Sequence, residues 1–475
     1  MKKPLSLLLV FLATCMFSCS TLPEKPNIVY ILADDLGWGD LSCYGQELFS
    51  TPNLDLLAEQ GMRFTQHYSG STVCAPSRSS LMTGLHTGHT PIRGNKPTKP
   101  EGQWPISDSV LTIAEVLKEA GYATGGFGKW GLGFVNSEGG PNKQGFDEFY
   151  GYNCQRIAHN YYPYYLWDNE QKIILEGNVD TLEGQYAPDL IHARALEFIE
   201  KHKDEPFFLY YPSVIPHAEL KVPEEYMAAY RGKYLPEKIY KGTDSGPSYK
   251  MGGYGSQSES HAAFVGMVDY LDKTVGDIMN KLEELGLTDN TILFFSSDNG
   301  PHMEGGADPR YFNSNGIYKG FKRDLYEGGI RVPLLVSWPG QIEPGSLSDH
   351  VSSFWDMFPT FADLSGGEHS ALVDGITMLP ELLGRDKQKV HEYLYWEFHE
   401  RGGRVAVRMG DWKGVRYKVN QNPDAALELY DLKTDPGEEN NIAEKNPEIV
   451  KRMEEIIRNN HVASPDFALP GLDLK

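Results

Sequence analysis

Two polar pairs close two apolar runs. Asp34-Asp35 follows residues 27–33 (NIVYILA), and Asp298-Asn299 follows residues 291–296 (TILFFS) and Ser297. Carboxylates that share a small volume repel one another and are costly to bury unless a cation neutralises them. An all-oxygen donor set suits a hard ion, calcium or magnesium. Alone, an Asp-Asp pair after a strand reads more readily as a cap and a turn. The second pair adds weight to the metal. Between the two lies Cys74-Ala75-Pro76-Ser77-Arg78, continued by Ser79-Ser80-Leu81-Met82-Thr83-Gly84. The chain has five cysteines, at 15, 19, 43, 74 and 154, and no pair has the spacing of a zinc knuckle. Cys74 is therefore a candidate for chemistry of its own.

The elements that position these residues follow from apolar periodicity. The runs 27–33, 207–211, 291–296 and 332–337 read as strands buried on both faces. Pro52 opens a short helix through Ala58. Val110, Ile113, Leu117 and Ala120 mark a helix over 109–120, closed by Gly121. A stripe from Phe264 to Leu285 makes 260–285 a helix. This alternation predicts a mostly parallel sheet with helices on both faces, an α/β fold that binds ligands beyond the carboxyl ends of its strands. Past residue 375 the character changes. Residues 405–409 and 413–417 flank Gly410-Asp411 as a hairpin, 427–432 adds a strand, and Pro447 begins a last helix. These describe a small antiparallel α+β domain. Residues 131–165 and 231–258, rich in Gly and Tyr, read as loops around a site mouth, with structural decoration an equal reading of the second.

Length and charge exclude other classes. The 475 residues suit one large domain and a smaller one: 24–375 catalytic, 376–475 C-terminal. A net charge of -21 disfavours nucleic acid and anionic membranes as partners. Lys2 and Lys3 precede the apolar run 5–13, which has signal-peptide length and is too short for a permanent span. Residues 1–18 read as a lipoprotein signal ending before Cys19, with cleavage before Cys15 or a plain secretory signal as alternatives. The expected place is the bacterial cell envelope, periplasmic or outer-membrane, with a lipid anchor on Cys19.

The segment 74–84 resembles the hallmark of the formylglycine-dependent sulfatases, C-x-P-S-R followed by x-x-L-x-T-G. The resemblance runs from Pro26 to about Val462. It implies an alkaline-phosphatase-like α/β/α sandwich with a small C-terminal domain, a calcium ion, and oxidation of Cys74 to formylglycine by a separate maturation enzyme. A thiol is a poor sulfate acceptor, whereas a hydrated aldehyde offers one hydroxyl to attack sulfur and a second whose deprotonation expels sulfate by C–O cleavage. Carried over by motif, Asp34, Asp35, Asp298 and Asn299 match the calcium ligands, with modified Cys74 beside the ion. Arg78 matches the arginine that holds the formylglycine. Lys129 in Gly128-Lys129-Trp130, His217 in Pro216-His217 and Lys322, five residues before Glu327-Gly328-Gly329, match sulfate-contacting groups. His217 is the favoured general acid, with Lys322 assisting. One position departs: the family segment Gly-Lys-Trp-His-Leu-Gly here has Gly131 in place of its histidine, and His159 is a candidate to fill that space.

On the substrate side His302, Arg310, Arg93 and the tyrosines at 161, 162, 164 and 165 are candidates to line a sugar pocket. The segments 128–133 and 155–163 look like those of glycan-acting bacterial members, which points to a sulfated galactose or N-acetylgalactosamine. Two other readings stand beside the sulfatase: a phosphate-ester hydrolase of the same superfamily, and a non-catalytic protein that binds sulfated glycans.

Overall fold

The computed structural model describes residues 25–99, 101–367, 372–385 and 387–473. The expected signal segment and Cys19 lie outside the described residues. Among the described residues no helix is long and apolar enough to cross a membrane.

The strand β1 (Asn27–Ala33) is buried along its whole length, as a run apolar on both faces requires. Its odd residues Val29, Ile31 and Ala33 enter one core, and Ile28, Tyr30 and Leu32 enter another on the opposite face. Around it lie β2 (Met62–Phe64), β3 (His67–Tyr68), β4 (Ala123–Lys129), β5 (Glu148–Tyr152), β6 (Tyr165–Asp168), β7 (Gln171–Ile174), β8 (Phe207–Pro212), β9 (Thr291–Ser297), β10 (Leu334–Ser337), β11 (Ser346–Ser348) and β12 (Ser352–Ser353). Ten of these form one sheet in the order β11-β2-β10-β9-β1-β8-β4-β5-β6-β7, while β3 pairs with β12. The centre, β9-β1-β8-β4-β5, is parallel. Both flanks carry antiparallel pairs, β9 with β10 and β5 with β6, so the sheet is mixed.

Helices cover both faces. Pro52–Glu59, Ala187–Lys201 and the 25-residue Ser260–Glu284 pack on one side. Cys74–Thr83, Ile113–Glu119 and Met357–Ser365 pack on the other. The helix expected from residue 109 starts later, because Thr112 caps it. Its hydroxyl accepts from Glu115 N, and the Glu115 carboxylate accepts from Thr112 N at 2.8 Å. The strand expected from Val332 starts at Leu334, since Pro333 has no N–H to give a ladder.

Sequence pattern missed β4 and β5. The run ATGGFGK lacks the β-branched signature because its neighbours come too close for side chains. A Cβ on Gly128, at φ +139°, would lie 1.9 Å from the Pro212 carbonyl oxygen. The second sheet, β13 (Leu394–Phe398), β14 (Arg404–Met409), β15 (Trp412–Tyr417) and β16 (Glu428–Asp431), is antiparallel throughout. Met453 and Ile457 of the helix Pro447–Asn460 pack on it. Met378 and Leu382, further back in the chain, belong to the core of the large sheet.

Candidate active site

Register brings the two polar pairs together. Ala33 lies opposite Ser297 in the parallel ladder, so Asp34-Asp35 and Asp298-Asn299 leave adjacent strands side by side. Asp298 N donates to Ala33 O at 3.0 Å, and Asp35 N donates to Asp298 Oδ1 at 3.1 Å. Asp35 takes a left-handed backbone, φ +64°, a conformation that short polar side chains tolerate. All four side chains are inaccessible to solvent.

Cys74 opens its helix beneath them. Val73 provides no side-chain cap, and Asn95 Oδ1 accepts from Ala75 N at 3.2 Å. Cys74 Sγ lies 3.4 Å from Asp34 Oδ1 and 3.4 Å from Lys129 Nζ. Burial first, then the Asp34 charge, pushes the thiol well above its ordinary pKa, so an unmodified Cys74 stays protonated and is a weak nucleophile. One turn on, the buried Arg78 donates to Asp298 Oδ2 from Nε at 3.0 Å and from its terminal nitrogen at 2.9 Å. It also donates to the Lys129 carbonyl.

Three cations meet three carboxylates. Arg78 pairs with Asp298, Lys129 Nζ lies 2.6 Å from Asp34 Oδ2, and Lys322 Nζ lies 2.7 Å from Asp35 Oδ2. Burial works to raise the Asp34 carboxyl, but the charges of Lys129, Arg78 and Lys322 outweigh it and hold it far below the usual range. Burial, then the Asp34 charge, pushes the Asp298 carboxyl up against the pull of Arg78. His217 Nδ1 donates to Ala218 O, which leaves Nε2 to accept from Lys322 Nζ at 3.1 Å. Burial and Lys322 lower its pKa well below normal, so the proton between the two rests on the lysine.

His217 sits in a stack of imidazoles. His159 lies 5.0 Å away with planes 9° apart, and His302 lies 5.4 Å away on the other side at 13°. His159 Nδ1 bonds Gly252 O, and His302 Nε2 bonds Pro216 O. A cavity of about 450 Å³ opens from Cys74, Lys129, His217 and Lys322 outward, with Arg156, Tyr254 and Arg323 on its walls. A larger cavity of about 530 Å³ between Leu56, Met279 and Pro339 touches none of this chemistry.

The donor set fits a hard cation. Asn299 Oδ1 is buried without a hydrogen-bond partner beside the three carboxylates, a lone acceptor that a cation would satisfy. Ligand atoms of Asp34, Asp35, Cys74 and His217 all lie within 4.8 Å of one another.

Of the residues singled out by sequence, Cys74, Arg78, Lys129, His217, Lys322 and the four acidic or amide residues converge, and His159 and His302 flank them. Arg310 does not reach the cavity: it is exposed, and its guanidinium lies 5.1 Å from the Phe321 ring centre. The arginines that line it are Arg156 and Arg323. Nor do Tyr161 and Arg93 line it. The Tyr161 hydroxyl holds the Val214 and His217 carbonyls, and Arg93 holds the Thr90 and Val462 carbonyls. The space beyond Gly131 is filled by Gln155, and not by His159. Sequence reasoning also passed over Glu304, whose carboxylate accepts from Lys322 at 3.4 Å. Its only signal was its place two residues past His302.

A family model described as Sulfatase matches residues 26–367, and one described as N-sulphoglucosamine sulphohydrolase, C-terminal, matches residues 316–462. N-acetylgalactosamine-6-O-sulfatase of Bacteroides thetaiotaomicron is 32% identical over 92% of this chain and 93% of its own length. Arylsulfatase A of Homo sapiens is 32% identical over 91% of this chain and 87% of its own. Among solved structures, that of Ps i-CgsB in complex with k-i-k-neocarrahexaose superposes with a TM-score of 0.78 at 28% identity, covering 92% of this chain and 94% of that one.

Proposed function

This chain belongs to the sulfatase family and hydrolyses sulfate esters, and we propose that the ester sits on a carbohydrate, a sulfated galactose or N-acetylgalactosamine. The observation that carries the reading is the buried cluster of Cys74 with Asp34, Lys129 and Arg78 at the floor of a cavity with polar walls. The sugar assignment is supported by the relative that acts on N-acetylgalactosamine sulfate and by the neighbour bound to k-i-k-neocarrahexaose.

Formylglycine made from Cys74 would supply, as its hydrate, the hydroxyl that the thiol lacks. A calcium ion held by Asp34, Asp35, Asp298 and Asn299 would supply positive charge that favours ionisation of that hydroxyl. The chain's own residues do the rest. Arg78 fixes Asp298 and, through the Lys129 carbonyl, the end of β4 from which the Lys129 side chain springs. Lys129 and Lys322 aim ammonium groups at the space above Cys74, where they oppose charge building on sulfuryl oxygens. His217 and Lys322 share the proton that the leaving alcohol needs: the lysine holds it, with Asp35 Oδ2 accepting at 2.7 Å and the neutral imidazole Nε2 at 3.1 Å. The walls bearing His159, Tyr254, Arg156 and Arg323 offer groups to sugar hydroxyls.

The reading includes an exported catalytic unit followed by a small C-terminal unit, divided near residue 375, a lipid anchor on Cys19 in the periplasm or outer membrane, and a maturation enzyme acting on Cys74. The test takes protein from its native host or co-expressed with such an enzyme. Mass spectrometry of the Cys74 peptide should show a residue lighter than cysteine, and the protein should release sulfate from defined sulfated saccharides. Matured protein that leaves every sulfated saccharide intact while cleaving other sulfate esters removes the carbohydrate assignment.

A further inference from the structure

Gly131 follows Lys129 by two residues and takes φ +79°. The space its side chain would enter holds the Gln155 carboxamide: a Cβ there would lie 2.0 Å from Gln155 Nε2. Gln155 is only 7% exposed, and neither its Oε1 nor its Nε2 has a hydrogen-bond partner. It nevertheless lines the cavity that contains Cys74, Lys129, His217 and Lys322. Gln103 Nε2, on a residue 1% exposed, is likewise buried and unpartnered on that cavity.

An unmade hydrogen bond on a buried amide costs about 1–3 kcal/mol, so such a group is kept for what enters the cavity. The orphaned atoms also say what enters. Sulfate oxygens only accept and ammonium groups only donate. A hydroxyl accepts from the amide N–H and donates to the amide carbonyl at once. A site built to hydrogen-bond a hydroxyl discriminates strongly, because without it the amide is left unpaired.

We propose that Gln155 contacts a hydroxyl group beside the reacting sulfuryl group and fixes its orientation. Two sources share this chemistry: a hydroxyl of the hydrated aldehyde at position 74, and a ring hydroxyl of the sulfated sugar. The proposal rests on the sulfatase reading.

The test compares matured wild type with Gln155→Leu, which keeps the bulk and removes both polar atoms. Each is assayed against a sulfated monosaccharide and against methylumbelliferyl sulfate, which has no sugar hydroxyl. A second arm measures calorimetric binding of the sulfated monosaccharide to Cys74→Ala protein with and without Gln155→Leu, so that affinity is read without turnover. The expected result is a loss of about 10- to 100-fold in kcat/KM with an unchanged melting midpoint. Loss on both substrates, with binding intact, places the hydroxyl on the nucleophile. Loss confined to the sugar sulfate, with about tenfold weaker binding, places it on the substrate. Rates within about twofold on both substrates together with unchanged affinity overturn the proposal, as does a loss that merely follows a lowered melting midpoint. Matured wild type that cleaves no sulfate ester is a separate failure, that of the underlying reading, and the calorimetric arm then decides Gln155 alone.

Discussion

Replacing Arg78 with methionine removes the cation that Asp298 touches while keeping much of the volume. The guanidinium is inaccessible to solvent and gives Asp298 Oδ2 hydrogen bonds at 2.9 and 3.0 Å, with Asp34 Oδ2 3.6 Å away. For charges about 4 Å apart at an effective dielectric of about 20, the attraction is about 4 kcal/mol. Removing one partner of a buried ion pair generally costs about 3–5 kcal/mol, because the other charge is left uncompensated. Arg78→Met should therefore lower the unfolding free energy by about 4 kcal/mol in a urea titration followed by tryptophan fluorescence at neutral pH. Asp298→Asn removes the stranded charge, so the double variant should fall short of the summed single effects by about 2 kcal/mol or more. A single-variant loss below about 1 kcal/mol, or strict additivity in the double variant, would refute the claim that this pair holds the site together.

Four further outcomes follow from the same geometry. Cys74→Ala should cut turnover at least about a thousandfold with little change in melting, and retained turnover would defeat the nucleophile assignment. Chelation should abolish activity, and calcium at about 100 times its dissociation constant should stabilise the metal-free protein by about 2.7 kcal/mol; an unmoved melting curve contradicts the cation site. His217→Gln should slow sugar sulfates about 100-fold but nitrophenyl sulfate less than about tenfold, since its leaving phenol needs little protonation; equal losses would remove His217 from proton delivery. Burial works against protonation of His461, but its hydrogen bonds to Glu397 at 2.7 Å and Asp473 at 2.9 Å raise its pKa above the ordinary histidine value. The stability this brings is complete below the unfolded histidine pKa of about 6.5 and is lost as pH rises through the higher folded value. The melting gap between wild type and His461→Gln should therefore shrink on that upward path, and a constant gap would show that the pairing is not electrostatic.

What sequence made legible was local. Asp34-Asp35 and Asp298-Asn299 each close an apolar strand, so their place at the sheet end follows from the chain itself, and the motif from Cys74 to Gly84 carried Arg78 with it. The long helix Ser260–Glu284 and the hairpin of β14 and β15 announced themselves by period. What sequence hid was tertiary. The glycines of β4 exist because Pro212, Phe146 and Phe198 press on that strand, and no periodicity reports a neighbour so distant along the chain. Gln155 looked like one polar residue in a loop segment, and its importance depends on the left-handed Gly131 making room for it. Arg310 was a sugar-pocket candidate by residue type alone, but its contact with Phe321 turns it elsewhere.

The charge count of the site bears on which ester it accepts. Asp34, Asp35 and Asp298 are matched by Lys129, Lys322 and Arg78, and Glu304 on the same cavity by Arg323, so the protein's own groups are already in balance. A divalent cation among these carboxylates competes with the two ammonium groups for them, and adds two positive charges in a place where unpaired charge is costly. Two negative charges must then enter. A sulfate monoester brings one, and an ionised hydroxyl at position 74 brings the other. A phosphate monoester, close to doubly charged at neutral pH, would bring one too many alongside the same nucleophile. His217, kept neutral by burial and by Lys322, does not shift this balance. On this sum of buried charges the site should favour sulfate over phosphate before any contact to the ester oxygens is considered, and adding one cation to the sum should move that balance. Replacing Gln155, neutral and unpaired on the same cavity, with lysine should raise the phosphate-to-sulfate ratio of kcat/KM, and an unchanged or lowered ratio would show that contact geometry, not charge, sets the choice.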